Sequence, residues 1–208
     1  MFENTLWLIY ICEMDVELRD ESSLKGNSFK TVEIPSKGLS VVATRKIYPG
    51  ELIMKEKPLI VVPNKIYENV DQVVKYLDKC VLRMSSSDRE LFLGLSDCNS
   101  SNDSTYLGIF DTNDMDFGGD AGVFATMARV NHACCPNAEF VTDFEHQYQH
   151  LKAIECIDVG AEITINYLSM EEEGSDVKNA RQKFLKDYYN FICSCEFCSQ
   201  EVFFAILK

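Results

Sequence analysis

The sequence predicts a mainly β protein with inserted helices. Short runs rich in Val and Ile alternate with turn sequences such as Pro-Ser-Lys-Gly and Tyr-Pro-Gly between residues 29 and 62, which is typical of strands joined by tight turns. Apolar residues then recur at helical spacing between residues 65 and 98. A cluster of three cysteines follows near residue 195. Hydrophobic residues make up 46% of the 208 residues, which is enough for a packed core.

The chain divides into three predicted regions. Residues 1–28 have no clear period and end in a polar run, so we interpret them as a lead-in. Residues 29–168 form the main domain, with a helical insert at about 64–105, and residues 169–208 form a helix followed by a metal-binding segment. Within the insert, "SSSD" at residues 85–88 offers an N-cap for the second helix.

The second half of the main domain is predicted to form strands and one short helix. "AGVFATMARVN", residues 121–131, is predicted to be that helix. "AEFVTDF", "HLKAIECI" and "EITINYL" are predicted strands. Residues 177–189 form the predicted C-terminal helix, capped by Ser175 or Asp176.

The net charge of −13 bears on partners. Such a surface repels phosphates, so we expect no direct nucleic-acid binding. An acidic surface suits a basic protein or peptide partner. Taken alone, however, the net charge is more simply explained as keeping the protein soluble. Nine cysteines, an odd number, without a recognisable export signal indicate an intracellular location, nucleus or cytoplasm. No apolar run approaches the length of a membrane span, so no membrane association is expected.

The stretch "FICSCEFC" places Cys193, Cys195 and Cys198 within six positions. Zinc prefers four tetrahedral ligands, often thiolates. No Cys or His lies within ten residues on either side of the three, so a fourth ligand must come from a distant segment. Cys134 and Cys135, in "RVNHACCPNAEF", are the best candidates. The alternative, free surface thiols, is disfavoured because exposed neighbouring thiols oxidise readily.

Four segments resemble the motifs of SET-domain protein lysine methyltransferases. "RVNHACCPNAEF" resembles R-x-x-N-H-S-C-x-P-N, "DVGAEITINYL" resembles G-E-E-[IL]-T-x-x-Y, and "FICSCEFC" resembles the post-SET C-x-C-x-x-C. "PSKGLSVVATRKIYPGELIMKEKPL" is similar to the opening of the SMYD branch. The interval 64–105, where that branch carries a two-zinc MYND finger, holds only Cys80 and Cys98. The chain therefore resembles a SMYD-like member without the MYND finger.

The resemblance implies a SET fold, in which small β-sheets surround a pseudoknot and a post-SET zinc-binding segment follows. In this pseudoknot the Asn-His-x-Cys segment is threaded against the C-terminal strand. It implies one structural zinc ion, held by Cys134, Cys193, Cys195 and Cys198. It also implies S-adenosyl-L-methionine as cofactor and a lysine of a histone or non-histone protein as substrate.

Site residues follow from the same resemblance. Tyr167 falls on the active-site tyrosine that orients the methyl group and the lysine nitrogen, and Tyr189 falls on an aromatic of the lysine channel. Seven residues fall on cofactor-contacting positions: Lys37, Gly38, Leu39, Asn113, Asn131, His132 and Phe191. For the three aromatic residues, packing in the core or on a helix face is the alternative.

Departures from the motifs leave rival functions open. Ser36 and Ser40 replace glycines of the cofactor turn, where glycine permits positive φ and close approach. Ala133 and Ala161 replace a serine and a glutamate. One rival is a catalytically weak or inactive SET-fold interaction module that binds basic peptides. Another is a zinc protein with only a structural likeness. The intact set of Asn131, His132 and Tyr167 favours the enzyme.

Overall fold

The structure, a computed structural model, describes residues 27–98, 105–168 and 178–199. Within these ranges the backbone forms four small β-sheets of two or three strands each. The strands are β1 (Phe29–Ile34), β2 (Gly38–Ala43), β3 (Leu52–Glu56), β4 (Ile60–Val62), β5 (Asp114–Phe117), β6 (Asp120–Val123), β7 (Asn131–His132), β8 (Ala138–Asp143), β9 (Tyr148–Ala153) and β10 (Thr164–Ile165). The helices are α1 (Asn64–Tyr67), α2 (Val70–Arg83), α3 (Ser86–Leu93), α4 (Tyr106–Asn113) and α5 (Lys178–Tyr189), with a 3-10 turn at Met127–Arg129. Small sheets with helices between them confirm the predicted fold class.

The sheets differ in their pairing. β1 and β2 form a hairpin, β9 lies between β3 and β8, and β6 lies between β4 and β5, all antiparallel. β7 and β10 instead pair in parallel, with Asn131 opposite Thr164 and His132 opposite Ile165. The parallel pair therefore sets the Asn-His segment beside a strand that lies more than thirty residues later.

The insert is helical, as the spacing predicts. α2 begins after Asn69, whose side chain accepts a hydrogen bond from Gln72 N, and it buries Val73, Leu77 and Val81. α3 begins after Ser85, whose hydroxyl accepts from Asp88 N at 3.1 Å; this is the predicted N-cap. Sequence periodicity missed α4, which follows the predicted insert and buries Ile109 and Phe110.

The helix predicted at residues 121–131 is wrong. Ala121, Gly122 and Val123 belong to β6, the central strand of its sheet, and only Met127–Arg129 forms a 3-10 turn. A short apolar run does not distinguish a buried strand from a buried helix by its period. Pairing on both edges decides in favour of the strand.

Three apolar clusters support these elements. The largest lies among β2, β3, β9 and the 3-10 turn, and the second joins the insert helices to β4 and β6. The third packs Leu168 and Leu185 against the C-terminal cysteines. None of the described helices has the length and hydropathy needed to cross a membrane. The N-cap predicted at Ser175 or Asp176, and nearly all of the lead-in, lie outside the described residues.

Candidate active site and metal centre

Four cysteine thiols meet where the C-terminal segment contacts the loop after β7. The Sγ atoms of Cys134, Cys193, Cys195 and Cys198 all lie within 4.8 Å of one another. Cys193 and Cys198 are buried, whereas the neighbouring Cys135 is exposed and outside the cluster. Of the two candidates for the fourth ligand, the structure therefore selects Cys134.

The cluster has the dimensions of a zinc site. Four sulfurs at about 2.3 Å from a tetrahedral zinc ion lie about 3.8 Å apart. Cys134 Sγ lies 3.9 Å from Cys193 Sγ and 3.5 Å from Cys198 Sγ. The four cysteines can thus hold one zinc ion.

Electrostatics at the cluster also favour a cation. Burial raises the pKa of the Cys134 thiol, and nearby thiols raise it further. At Cys195 burial also opposes ionisation, but hydrogen bonds from backbone N–H groups outweigh it and lower the pKa. Buried thiolates need a compensating positive charge, and a bound metal ion supplies it.

His132 connects the thiol cluster to Tyr167. Its Nδ1 accepts a hydrogen bond from Tyr167 N at 3.0 Å, and its Nε2 lies 3.4 Å from Cys134 Sγ. Burial, together with Arg181, lowers the pKa of His132 to about 4. The ring is therefore neutral, and Nε2–H is the nitrogen that donates, toward the Cys134 sulfur.

A cavity of about 440 Å³, which we call the thiol-side cavity, opens beside the cluster. It is bounded by the β1–β2 turn, the start of β7 and the segment after α5. All seven predicted cofactor-binding residues line it: Lys37, Gly38, Leu39, Asn113, Asn131, His132 and Phe191. Their roles stay predictions, but the structure places them around one space.

A second cavity, of about 500 Å³, shares Tyr167 with the first. We call it the acidic cavity because Asp111, Asp114 and Asp116 line it. Tyr67 and Gln149 contribute further polar groups. Tyr167 and Tyr189 line both cavities, and their ring centroids lie 4.9 Å apart. The two predicted catalytic tyrosines therefore stand where the cavities adjoin.

The Tyr167 hydroxyl is fixed by one strong hydrogen bond. It donates to the carbonyl of Val130 at 2.7 Å. Burial raises the pKa of Tyr167 well above its usual range, so the phenol stays protonated and acts as a donor.

A polar network holds the turn of the thiol-side cavity. Glu162 Oε1 accepts from Asn131 Nδ2 at 2.9 Å, and Glu162 Oε2 pairs with Lys37 Nζ at 2.5 Å. Ser40 Oγ accepts the second Asn131 bond at 2.6 Å. Ser40 is fully buried and does not line the cavity, whereas Ser36 lines it with φ of 69°.

The family model of the SET domain matches residues 38–168. The chain belongs to the SET-domain family. The fold is therefore the SET fold, and the cysteine cluster occupies the place of the post-SET metal site. The parallel contact of β7 with β10 is the one that the sequence resemblance implied.

Several relatives of this SET domain are named as lysine methyltransferases. The chain is 27% identical over 174 residues to histone-lysine N-methyltransferase set5 of Schizosaccharomyces pombe, covering 83% of this chain and 51% of that protein. It is 42% identical over 78 residues to histone-lysine N-methyltransferase ASHR1 of Arabidopsis thaliana, covering 38% and 15%. It is 38% identical over 82 residues to protein-lysine N-trimethyltransferase SMYD5 of Homo sapiens, covering 39% and 19%. The chain thus spans about half of set5 and less of the other two.

Several residues of the SET domain site were not predicted. Glu162 has no role among the predicted site residues, yet it bridges Lys37 and Asn131. The three aspartates of the acidic cavity fall in the short stretch "DTNDMD". Their density within six positions was the available signal. No sequence pattern places Tyr67 of the insert beside them.

Proposed function

We propose that this SET domain is a protein-lysine N-methyltransferase, which transfers a methyl group from S-adenosyl-L-methionine to a lysine side chain of a histone or non-histone protein. One observation carries the proposal: two separate cavities adjoin at the Tyr167–Tyr189 pair. A group-transfer enzyme needs such a meeting point for donor and acceptor.

The thiol-side cavity suits the cofactor in size and chemistry. Its volume of about 440 Å³ falls within the range of pockets for small molecules. Backbone groups of the turn at 36–39 and the polar side chain of Asn131 would hold the amino-acid end. The Phe191 ring offers an apolar face for a flat heterocycle. When bound, the cofactor supplies an activated methyl group on a positively charged sulfur.

The acidic cavity would admit the lysine. A lysine side chain has a pKa of about 10.4 in water and attacks a methyl group only after losing a proton. Tyr167 is not the base, because its hydroxyl is protonated and already donates to Val130 O. Instead, the two tyrosine rings exclude water around the amine, and desolvation lowers the lysine pKa.

The cysteine cluster would hold the C-terminal segment in place. A zinc ion held by Cys134, Cys193, Cys195 and Cys198 would fix the C-terminal segment against the loop after β7. Phe191 lies two residues before Cys193, and its ring lies 6.1 Å from the His132 ring. The metal would therefore complete the wall of the thiol-side cavity rather than take part in chemistry.

No observation favours the inactive interaction module over the enzyme. That alternative depends on crowding of the cofactor turn by Ser36 and Ser40. Ser40 faces Asn131 inside the protein, and its hydroxyl stabilises the amide. Only Ser36 keeps the expected cost of positive φ.

The proposal is tested by incubating zinc-replete protein with S-adenosyl-L-methionine and a panel of lysine peptides and histones. Mass spectrometry should detect methylated lysine. Tyr167→Phe should abolish most of the product while keeping cofactor binding. Protein that binds the cofactor but methylates no substrate in the panel or itself would count against the enzyme.

A further inference from the structure

The acidic cavity carries more negative charge than one lysine can compensate. Asp111, Asp114 and Asp116 line it, and no Lys, Arg or His does so among the described residues. Asp114 Oδ2 accepts from the Tyr67 hydroxyl at 3.0 Å, and Asp116 Oδ1 accepts from Gly119 N at 3.0 Å. None of the three forms an ion pair within the part of the chain that the structure describes.

A free acceptor also lies in the wall between the two cavities. Asn113 is 8% exposed and lines both. Its Nδ2 donates to Ser96 O at 2.7 Å and to Ile109 O at 2.6 Å, which fixes the orientation of the amide. Its Oδ1 accepts no hydrogen bond from any described residue. An amide oxygen that is held in one orientation and has no partner among the described residues can accept from a ligand that brings hydrogen-bond donors.

Aromatic faces surround the carboxylates. Tyr67 and Tyr188 line the acidic cavity and are 42% and 61% exposed. Lysine and arginine side chains bind both to carboxylates and over aromatic faces. The lining of the cavity thus offers two kinds of contact that a cationic side chain uses.

We propose that the acidic cavity binds a second cationic side chain, so that preferred substrates carry a Lys or Arg next to the target lysine. This inference rests on the proposed function. The target amine must be neutral at Tyr167 and Tyr189, and a carboxylate at that point would hold its proton. The aspartates therefore serve a different cation of the same peptide. The volume of about 500 Å³ accommodates more than one side chain.

Asp114 is the central residue of this subsite. It is partly buried, and its hydrogen bond to Tyr67 joins the insert to the start of β5. Asp111 lies one helical turn earlier, at the end of α4. A guanidinium or ammonium held between them is partly shielded from water, which strengthens the pairing relative to an exposed ion pair.

The test compares two labelled peptides by fluorescence anisotropy, with the zinc-replete 208-residue chain and S-adenosylhomocysteine present. Each peptide has one lysine, flanked on both sides by Arg or by Ala. We expect the Arg-flanked peptide to bind about tenfold tighter. The double variant Asp111→Asn/Asp114→Asn should lose that preference, and Asp114→Asn alone should lose most of it.

Asp78→Asn is the matched control. Asp78 is exposed on α2 and lines neither cavity, so the variant changes net charge alone. It should keep the tenfold preference. If the wild type bound both peptides with equal affinity, the inference would be overturned. It would also be overturned if the double variant and Asp78→Asn showed the same preference for the Arg-flanked peptide, because the preference would then come from overall charge.

Calorimetry with S-adenosylhomocysteine separates the two proposals. The wild type and the double variant should bind it equally, because Asp111 and Asp114 do not line the thiol-side cavity. Absence of binding by the wild type contradicts the proposed function. Cofactor binding together with equal peptide affinities contradicts only the second-cation subsite.

Discussion

The hydroxyl of Ser40 lies 2.6 Å from the side-chain nitrogen of Asn131, although 91 residues separate them in sequence. With the Glu162 bond at 2.9 Å, it satisfies both hydrogens of the Asn131 amide. The serine that replaces a motif glycine therefore fixes the Asn131 amide, and it does not line the thiol-side cavity.

Ser40→Ala should destabilise the protein by about 1 kcal/mol, because it removes one buried hydrogen bond. It should also weaken binding of S-adenosylhomocysteine several-fold, because the Asn131 side chain becomes less fixed. Chemical denaturation and calorimetry measure the two effects. Unchanged stability would show that the Ser40–Asn131 bond contributes nothing.

Ser36→Gly should stabilise the protein. Ser36 has φ of 69°, which is costly for a residue with a Cβ. Its replacement should raise the free energy of unfolding by roughly 0.5 to 1 kcal/mol, after the larger entropy of unfolded glycine is subtracted. A lower midpoint of thermal unfolding than the wild type would refute this account of the turn.

Cys134→Ser should release the metal. Loss of one thiolate from a four-thiolate site leaves an open position, so zinc affinity should fall by orders of magnitude. Cys135→Ser is the matched control, since Cys135 is exposed and outside the cluster. Competition with a chromogenic chelator measures both. A Cys134→Ser protein that keeps one tightly held zinc would disprove the ligand assignment.

Tyr167→Phe should separate chemistry from binding. The change removes the hydroxyl bonded to Val130 O but keeps the ring packed against Tyr189. We expect methyl transfer to fall by about 100-fold, because the hydroxyl oxygen, whose proton goes to Val130 O, is no longer there to orient the methyl group and the lysine nitrogen. Cofactor affinity should change little. Equal loss of both would indicate a packing role alone.

Binding of the Arg-flanked peptide should depend on pH near 6. Burial, and to a lesser extent Asp111, raises the pKa of Asp114 to about 6, while the Tyr67 hydrogen bond partly opposes this rise. Burial also raises the pKa of Tyr67 and of Asp111, so the Tyr67 hydroxyl stays neutral. A carboxyl is negative only above its pKa, so affinity should increase as pH rises through about 6. Asp114→Asn should flatten that rise, and a wild-type profile with no change there would contradict the role of Asp114.

Sequence predicted the parts of the molecule that local patterns determine. The periodicity of α2, the N-cap at Ser85 and the choice between Cys134 and Cys135 all followed from spacing and resemblance. The strand β6 was mistaken for a helix because its central position depends on β4 and β5, which local sequence does not reveal.

The features that the sequence did not predict depend on contacts between residues far apart in the chain. Of the two serines, only Ser36 has a positive φ, and Ser40 instead accepts a hydrogen bond from Asn131, which belongs to a different element. Likewise, the acidic cavity forms only when Tyr67 of the insert meets Asp114 at the start of β5. No local sequence pattern predicts either contact, because both form only when distant elements pack together.

Calorimetric titration of zinc-replete protein with S-adenosylhomocysteine shows whether the thiol-side cavity binds the methyl donor. We expect binding of roughly one ligand per chain with a Kd on the order of micromolar. Ser40→Ala should weaken this binding, and Asp78→Asn should leave it unchanged. No detectable heat at several temperatures, with the fold intact and zinc bound, would contradict that expectation.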